Sequence, residues 1–160
     1  MAVTRLTRRG ELFTEIVLET FRLNRLLLDA GDELTAPVGL TSARWQVLGI
    51  VEHGPAPVAE VARTMGLTRQ SVQETANALE AEGFIEFAPN PRHRRAKLMV
   101  MTSKGDAAME VVRRRHASWA DELANRHRPA ALESVVTTLS EIRATLEESV
   151  APPSAQEVAS

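Results

Sequence analysis

Residues Pro57–Met101 read PVAEVARTMGLTRQSVQETANALEAEGFIEFAPNPRHRRAKLMVM, and this stretch decides the fold. Its apolar residues are spaced for two consecutive helices, the first from about Val58 to Met65 and the second from Arg69 to about Glu82. Gly66 lies between them and tolerates the left-handed backbone that a tight turn needs. The pattern therefore predicts two short helices joined by a sharp turn.

The second helix is amphipathic. Val72, Ala76 and Leu79 recur at helical spacing and predict a buried face, and Thr68 is a good N-cap. The side chains expected to point inward and fix the angle between the helices are Val61, Met65, Leu67, Val72 and Leu79, with the small Ala62 at the closest approach. The outer face carries side chains that can bond base edges, namely Arg69, Gln70, Gln73 and Asn77, with Glu74 among them. An ordinary helix pair with a polar solvent face is the alternative.

A β-hairpin with a cationic tip is predicted next. Gly83 is expected to end the helix, and the apolar runs Phe84–Ala88 and Ala96–Met101 are typical of two strands. Pro89 and Pro91 stiffen the loop between them. Four cations follow one another without an intervening acid: Arg92, Arg94, Arg95 and Lys97. Such a tip suits phosphates or a minor groove, although a solvated charged loop is the plainer alternative. Two helices, a turn and this hairpin have the layout of a winged helix-turn-helix.

The chain resembles the MarR family of bacterial transcription regulators over about residues 10–148. The residues that carry the resemblance are Leu40-Thr41, Trp45, Leu48, Val61-Ala62, Leu67-Thr68, Val72, Leu79-Glu80, Gly83-Phe84-Ile85, Asn90-Pro91, Arg94-Arg95-Ala96, Met101-Thr102 and Gly105. The resemblance implies a homodimer that binds a palindromic operator, usually as a repressor released by a small molecule. Two positions depart from the family pattern. His93 replaces an aspartate that commonly braces the wing arginine, and Glu74 replaces a residue that is often basic.

Helices before this module are expected to contribute to dimerisation. A helix from about Thr7 to Ala30 is apolar over so much of its surface that it needs more than one partner. A loop is expected over Gly31–Gly39, followed by a helix from Ser42 to Glu52 that Thr41 caps. Pro57 fits the first position of the next helix.

Two further helices are predicted after the hairpin. One begins near Thr102 or Ser103 and runs to about Arg126, and the other runs from Pro129 to about Glu148. The last helix carries a seam for packing along another helix: Leu132, Val135, Leu139, Ile142 and Leu146. We expect a mainly α protein in which 1–36 and 103–150 form a helical dimerisation lobe from both chain ends. Residues 37–102 would form the winged helix-turn-helix DNA-binding lobe, and 151–160 a disordered tail.

The composition of the chain limits the classes of function that it can have. The chain has 160 residues and a formal net charge of −2, so attraction to DNA must come from the local placement of cations. The absence of cysteine excludes disulfides and thiolate metal sites. No apolar run approaches the roughly 20 residues of a membrane span, so we expect a cytoplasmic protein without a membrane partner. No catalytic or metal-ligand spacing stands out, and we expect no enzyme activity, metal or cofactor. Metal ligation by His116 with a residue of another helix is the alternative to an ordinary surface histidine.

The predicted partners are double-stranded DNA, a second copy of the chain and a small-molecule effector. The DNA-contacting residues are predicted to be Thr68, Arg69, Gln70, Ser71, Gln73, Asn77, Arg92, Arg94 and Arg95. The candidate effector pocket consists of Phe13, Phe21, Trp45 and Trp119, with a core position as the alternative for Trp45. The basic run Arg113–His116 fans around its helix and is interpreted as a solvated face with acidic partners. A winged-helix scaffold that binds protein but not DNA is the rival function.

Overall fold

The structure is a computed structural model that describes residues 5–150. Its elements are α1 Arg8–Thr35, a 3-10 turn Ala36–Val38, α2 Ser42–Val51, β1 Ala56–Pro57, α3 Val58–Met65, α4 Arg69–Ala81, β2 Ile85–Ala88, β3 Leu98–Met101, α5 Ser103–Ala124 and α6 Pro129–Val150. The described chain is mainly helical with one small antiparallel sheet, which confirms the predicted winged-helix fold class. It divides into two compact units, one ending at His116 and the other starting at Ala117. The predicted disordered tail at 151–160 lies outside the described residues.

The sheet contains a strand that the sequence did not reveal. Its order is β1-β3-β2, so β3 is central and pairs antiparallel with both neighbours. Within it, Phe87 lies opposite Met99, and Pro57 lies opposite Leu98. The prediction that Pro57 is the first residue of α3 was wrong, because Pro57 closes β1 and occupies the N-cap position with extended backbone. A proline fits an edge strand, where its missing N–H leaves no ladder bond unmade.

The core of the first unit lies between its helices and the sheet. The largest fully buried side chains include Leu48 of α2, Leu79 of α4, Met99 of β3 and Met109 of α5. Leu67 was wrongly predicted to belong to this core, since 44% of it is exposed. Its backbone amide instead completes the end of α3 by donating to the Ala62 carbonyl at 2.9 Å.

The first helix is longer than predicted, because Gly31 does not end it. Residues expected to begin a loop continue α1 as far as Thr35. A Cβ on Gly31 would lie 2.6 Å from Ser42 Oγ, so glycine at this position permits a close approach between α1 and α2. The fully buried Thr35 hydroxyl donates toward the Gly31 carbonyl at 2.8 Å and lies 3.0 Å from the Leu40 carbonyl. Asp32 Oδ1 accepts from the backbone amide of Ser42 at 2.6 Å, which fixes the start of α2.

Large apolar side chains remain exposed on two helices of the single chain. Those on α1 include Leu12, Phe13, Leu18, Phe21, Leu23, Leu26 and Leu27, and those on α6 include Leu132, Val135, Val136, Leu139 and Leu146. Within residues 5–150, no helix combines the length and apolar character that a membrane crossing requires. Exposed apolar surface of this extent is typical of an interaction surface.

Candidate nucleic-acid interface

Helix α4 is fixed by its buried face and its caps. Val72, Ala76 and Leu79 are buried, as the helical spacing predicted. The Thr68 hydroxyl accepts from the backbone amide of Ser71 at 3.1 Å and forms the predicted N-cap. At the other end, Gly83 adopts a φ of 78° and its amide donates to the Glu80 carbonyl at 2.9 Å. These contacts leave the opposite face of α4 free for solvent.

The outer face of α4 displays two pairs of side chains. Gln70 Nε2 donates to Glu74 Oε1 at 3.1 Å, and Gln73 Nε2 donates to Asn77 Oδ1 at 2.8 Å. Both pairs join residues one helical turn apart, where side chains meet on a helix surface. All four residues are exposed, as is Arg69 at the start of the helix. Each of the three amides has further hydrogen-bonding groups that these two bonds do not use, and such groups can contact base edges.

The wing between β2 and β3 ends in two consecutive turns. Asn90 Oδ1 accepts from the backbone amide of Arg92 at 2.9 Å, and the Asn90 carbonyl accepts from the His93 amide at 3.3 Å. The His93 carbonyl then accepts from the Ala96 amide at 3.0 Å. The wing cations are exposed and make no ion pair with a residue in the range 5–150: Arg92, Arg94, Arg95 and Lys97. Their charge is therefore available to an anionic partner.

An open groove of about 670 Å³ lies between α4 and the wing. It brings together five of the predicted DNA-contacting residues, namely Arg69, Gln70, Gln73, Asn77 and Arg95. The other predicted residues, Thr68, Ser71, Arg92 and Arg94, are exposed but do not line it. The prediction omitted further lining residues: Pro57, Val58, Ala59, Glu80, Phe87, Ala96 and Lys97. Lys97 could have been found from the cationic run Arg92–Lys97, of which it is the last member.

The end of α4 is braced against two other elements. The guanidinium of Arg44 on α2 contacts the Glu82 carboxylate at two points, at 2.8 and 2.9 Å. Lys104 Nζ on α5 donates to the Glu82 carbonyl at 2.6 Å and lies 4.4 Å from the centroid of the Phe84 ring. The Thr102 hydroxyl lies 2.7 Å from the Gly83 carbonyl. These contacts hold the junction between α4 and the wing, and they involve none of the outer side chains of α4.

The second basic run has partners inside the first unit. Arg113 forms ion pairs with Glu52 and Glu110, which fits the prediction of acidic partners. Arg115 differs, because its Nε donates to the Leu34 carbonyl at 2.9 Å and its Nη2 donates to the Glu33 carbonyl at 3.2 Å. It therefore binds carbonyls at the C-terminal end of α1, where a cation is favoured.

The aromatic residues predicted to bind an effector occupy different environments. Phe13 and Phe21 are exposed on α1, at 42% and 69%. Trp45 on α2 is half-buried against the core, and its ring meets that of His116 edge to face with centroids 5.3 Å apart. Trp119 is half-buried in the second unit. Their common role as an effector pocket stays a prediction.

Known proteins share both sequence and fold with this chain. The MarR family model matches residues 38–96, which extend from the 3-10 turn to the wing. An uncharacterised protein of Mycobacterium tuberculosis (strain ATCC 25618 / H37Rv) is 36% identical over 124 residues, covering 78% of this chain and 87% of the relative. The transcriptional activatory protein BadR of Rhodopseudomonas palustris is 26% identical over 106 residues, which are 64% of this chain and 61% of BadR.

Solved structures of the repressor CouR have the same fold. CouR bound to a 23-mer DNA duplex superposes with a TM-score of 0.74 at 24% identity, covering 87% of this chain and 99% of CouR. CouR from Rhodococcus jostii RHA1 bound to p-coumaroyl-CoA gives a TM-score of 0.70 at 21% identity. The match covers 79% of this chain and 90% of CouR. The sequence match, the fold and the arrangement of α3, α4 and the wing all indicate the same family. The chain belongs to the MarR family of DNA-binding transcriptional regulators.

Proposed function

We propose that the protein is a homodimeric, sequence-specific repressor that binds a palindromic operator and is released by a small-molecule effector. Each copy would place α4 in one of two successive major grooves, about 34 Å apart. The observation that carries this proposal is the groove between α4 and the wing, which brings amide side chains together with exposed cations. Four residues that line the groove would contact bases or nearby phosphates in this arrangement: Arg69, Gln70, Gln73 and Asn77.

The phosphate backbone is the proposed partner of the remaining predicted residues. Arg94 and Arg95 on the wing would contact the flanking minor groove or backbone, with Arg92 beside them. Thr68 and Ser71 lie at the start of α4, where backbone amides and the helix dipole favour an anion. Such contacts position the protein without reading the sequence.

Dimerisation is supported by the exposed apolar side chains of α1 and α6. An α1 surface that includes Phe21 at 69% and Leu26 at 62% exposure is unfavourable in water for a lone subunit. A palindromic operator follows from dimerisation, because a two-fold protein presents the same helix to both half-sites.

Effector release is supported by the family and by the CouR complex with p-coumaroyl-CoA. A ligand can release DNA only if it binds the non-DNA state better. A coupling free energy of about 1–3 kcal/mol would lower DNA affinity roughly 5–150-fold. The aromatic residues Phe13, Phe21, Trp45 and Trp119 are the candidates for contacting such a ligand.

The test begins with the salt dependence of duplex binding by the full chain. Log affinity should fall steeply with log salt, with about 0.9 added to the slope for each phosphate contact. Selection from random duplexes should then recover a palindrome. A reporter gene carrying the recovered sequence should be expressed less when the protein is present. Because BadR is described as an activatory protein, increased expression would reverse the proposed direction of regulation.

A protein-binding scaffold is the second candidate. The formal net charge of −2 and the acidic Glu74 on the outer face of α4 favour it. A scaffold predicts weak duplex binding with a flat salt response and no recovered palindrome.

A further inference from the structure

Glu74 occupies the outermost point of α4. Successive residues of an α-helix are rotated by about 100°, and on this basis Glu74 lies roughly opposite the mean direction of the buried residues Val72, Ala76 and Leu79. Its side chain is exposed. When a helix enters a major groove with its buried face toward the protein, the residue farthest from the core reaches deepest. A carboxylate therefore stands where base edges would be read.

The carboxylate of Glu74 retains the capacity to accept hydrogen bonds. Gln70 Nε2 donates to its Oε1 at 3.1 Å, while Oε2 bonds to no residue in the range 5–150. Among those residues, Glu74 also forms no salt bridge. The hydrogen bond from Gln70 restrains Oε1 of Glu74. The two side chains therefore present several hydrogen-bond acceptors on the outermost face of α4. An ionised carboxylate offers acceptors only.

We propose that Glu74 is a specificity-determining residue, which accepts a hydrogen bond from the 4-amino group of a cytosine in each half-site. This inference rests on the DNA binding proposed above. In the major groove cytosine presents the N4 amino donor, whereas guanine presents two acceptors and thymine an acceptor beside its methyl group. Adenine has an amino donor, but its N7 acceptor lies next to it and would repel a carboxylate oxygen. Cytosine is thus the base whose edge matches an acceptor-only side chain.

The negative charge of Glu74 should favour the cytosine-containing site but weaken non-specific binding to DNA. A carboxylate near the double helix is repelled by the phosphates of any sequence. Substitution of Glu74 by the isosteric glutamine should therefore raise affinity for random duplex and lower discrimination at one base position. A merely structural role for Glu74 would not change these two quantities in opposite directions.

The experiment compares three full-length proteins at one fixed salt concentration. Duplexes are selected from a random pool with wild type, with Glu74→Gln and with the control Glu60→Gln. The control removes an exposed carboxylate from α3. Wild type and Glu60→Gln should recover the same palindrome with a fixed cytosine in each half. With Glu74→Gln, the preference for cytosine at that position should fall roughly 5–150-fold and shift toward adenine, which glutamine can bond at two points.

A base analogue then identifies the atom that is read. Replacing that cytosine by a pyrimidin-2-one nucleotide removes the 4-amino group, and it should weaken binding by wild type more than by Glu74→Gln. Three results would overturn the inference while leaving DNA binding intact. The first is a cytosine preference that is unchanged in Glu74→Gln, and the second is an equal loss of affinity with the analogue for both proteins. The third is a wild-type preference for adenine at that position. If wild type binds no duplex even at low salt, the proposed function and this inference both fail.

Discussion

Gly31 and Ser42 approach each other so closely that no side chain fits between them. A Cβ on Gly31 would lie 2.6 Å from Ser42 Oγ and 2.9 Å from Ser42 Cβ. The second contact cannot be relieved by rotating the serine hydroxyl. This packing of α1 on α2 joins a helix with an exposed apolar surface to the module that carries the groove.

Gly31→Ala should therefore lower the free energy of unfolding by about 1–3 kcal/mol, the usual cost of overpacking. Gly49 in α2 is the matched control, because a Cβ there meets nothing within 4 Å. Gly49→Ala should be stabilising by about 0.5–1 kcal/mol, since glycine inside a helix is unfavourable relative to alanine. Urea unfolding at one protein concentration measures both, and effects of the same sign would contradict the assigned packing.

The seam of α6 provides a test of dimerisation. Leu139 is 42% exposed and lies on the predicted seam, whereas Thr137 lies roughly opposite that seam at about 100° per residue. Leu139→Asp should convert the dimer to monomers, because it would bury a charge in an apolar interface. Thr137→Asp should leave the mass unchanged. Sedimentation equilibrium across a range of concentrations measures the mass, and a monomeric wild type would refute the proposed dimer.

The two sides of the groove should contribute differently to DNA binding. Arg95→Ala removes a charge from the wing, so affinity should fall on all duplexes and the salt slope should decrease by about 0.9 if Arg95 contacts one phosphate. Gln73→Ala removes an amide and also releases Asn77 Oδ1, so it should change the selected sequence. Arg25→Ala on α1 serves as the control for loss of a positive charge. Fluorescence anisotropy on specific and random duplexes separates these effects, and equal losses on every duplex for both groove variants would contradict the assigned roles.

The Arg44–Glu82 pair should stabilise the junction between α2 and the end of α4. Its two-point contact and its exposures of 25% and 42% predict a coupling of about 0.5–1 kcal/mol in a double-mutant cycle with Arg44→Gln and Glu82→Gln. The exposed Arg143–Glu147 pair on α6 is the comparison, with about 0.3–0.5 kcal/mol expected for such a helix pair. Unfolding free energies of the four proteins in each cycle give both values. A coupling at Arg44–Glu82 that does not exceed the comparison would argue against the brace.

The elements with strong local signals were predicted from the sequence. Gly66 and Gly83 have positive φ, and Thr68 caps α4, as their residue types indicated. Each signal acts within a few residues, so it can be recognised without the tertiary structure. The same holds for the buried face of α4. Five of the residues predicted to contact DNA line the groove, and their contact with DNA stays a prediction.

The errors arise where distant parts of the chain decide the local structure. Gly31 was interpreted as a helix end, but its role depends on Ser42 packing against it. The strand at Ala56–Pro57 is too short to have a pattern and exists because β3 lies beside it. Phe87 joins the groove through the register of the hairpin, which composition does not define.

The contacts that anchor α4 come from its buried face, its caps and the Glu82 brace, and not from its outer side chains. The proposed base contacts and the contacts that stabilise the fold therefore involve different side chains of one helix. A library randomised at positions 70, 73, 74 and 77 should consequently yield mostly folded proteins, from which variants retargeted to new operators can be isolated.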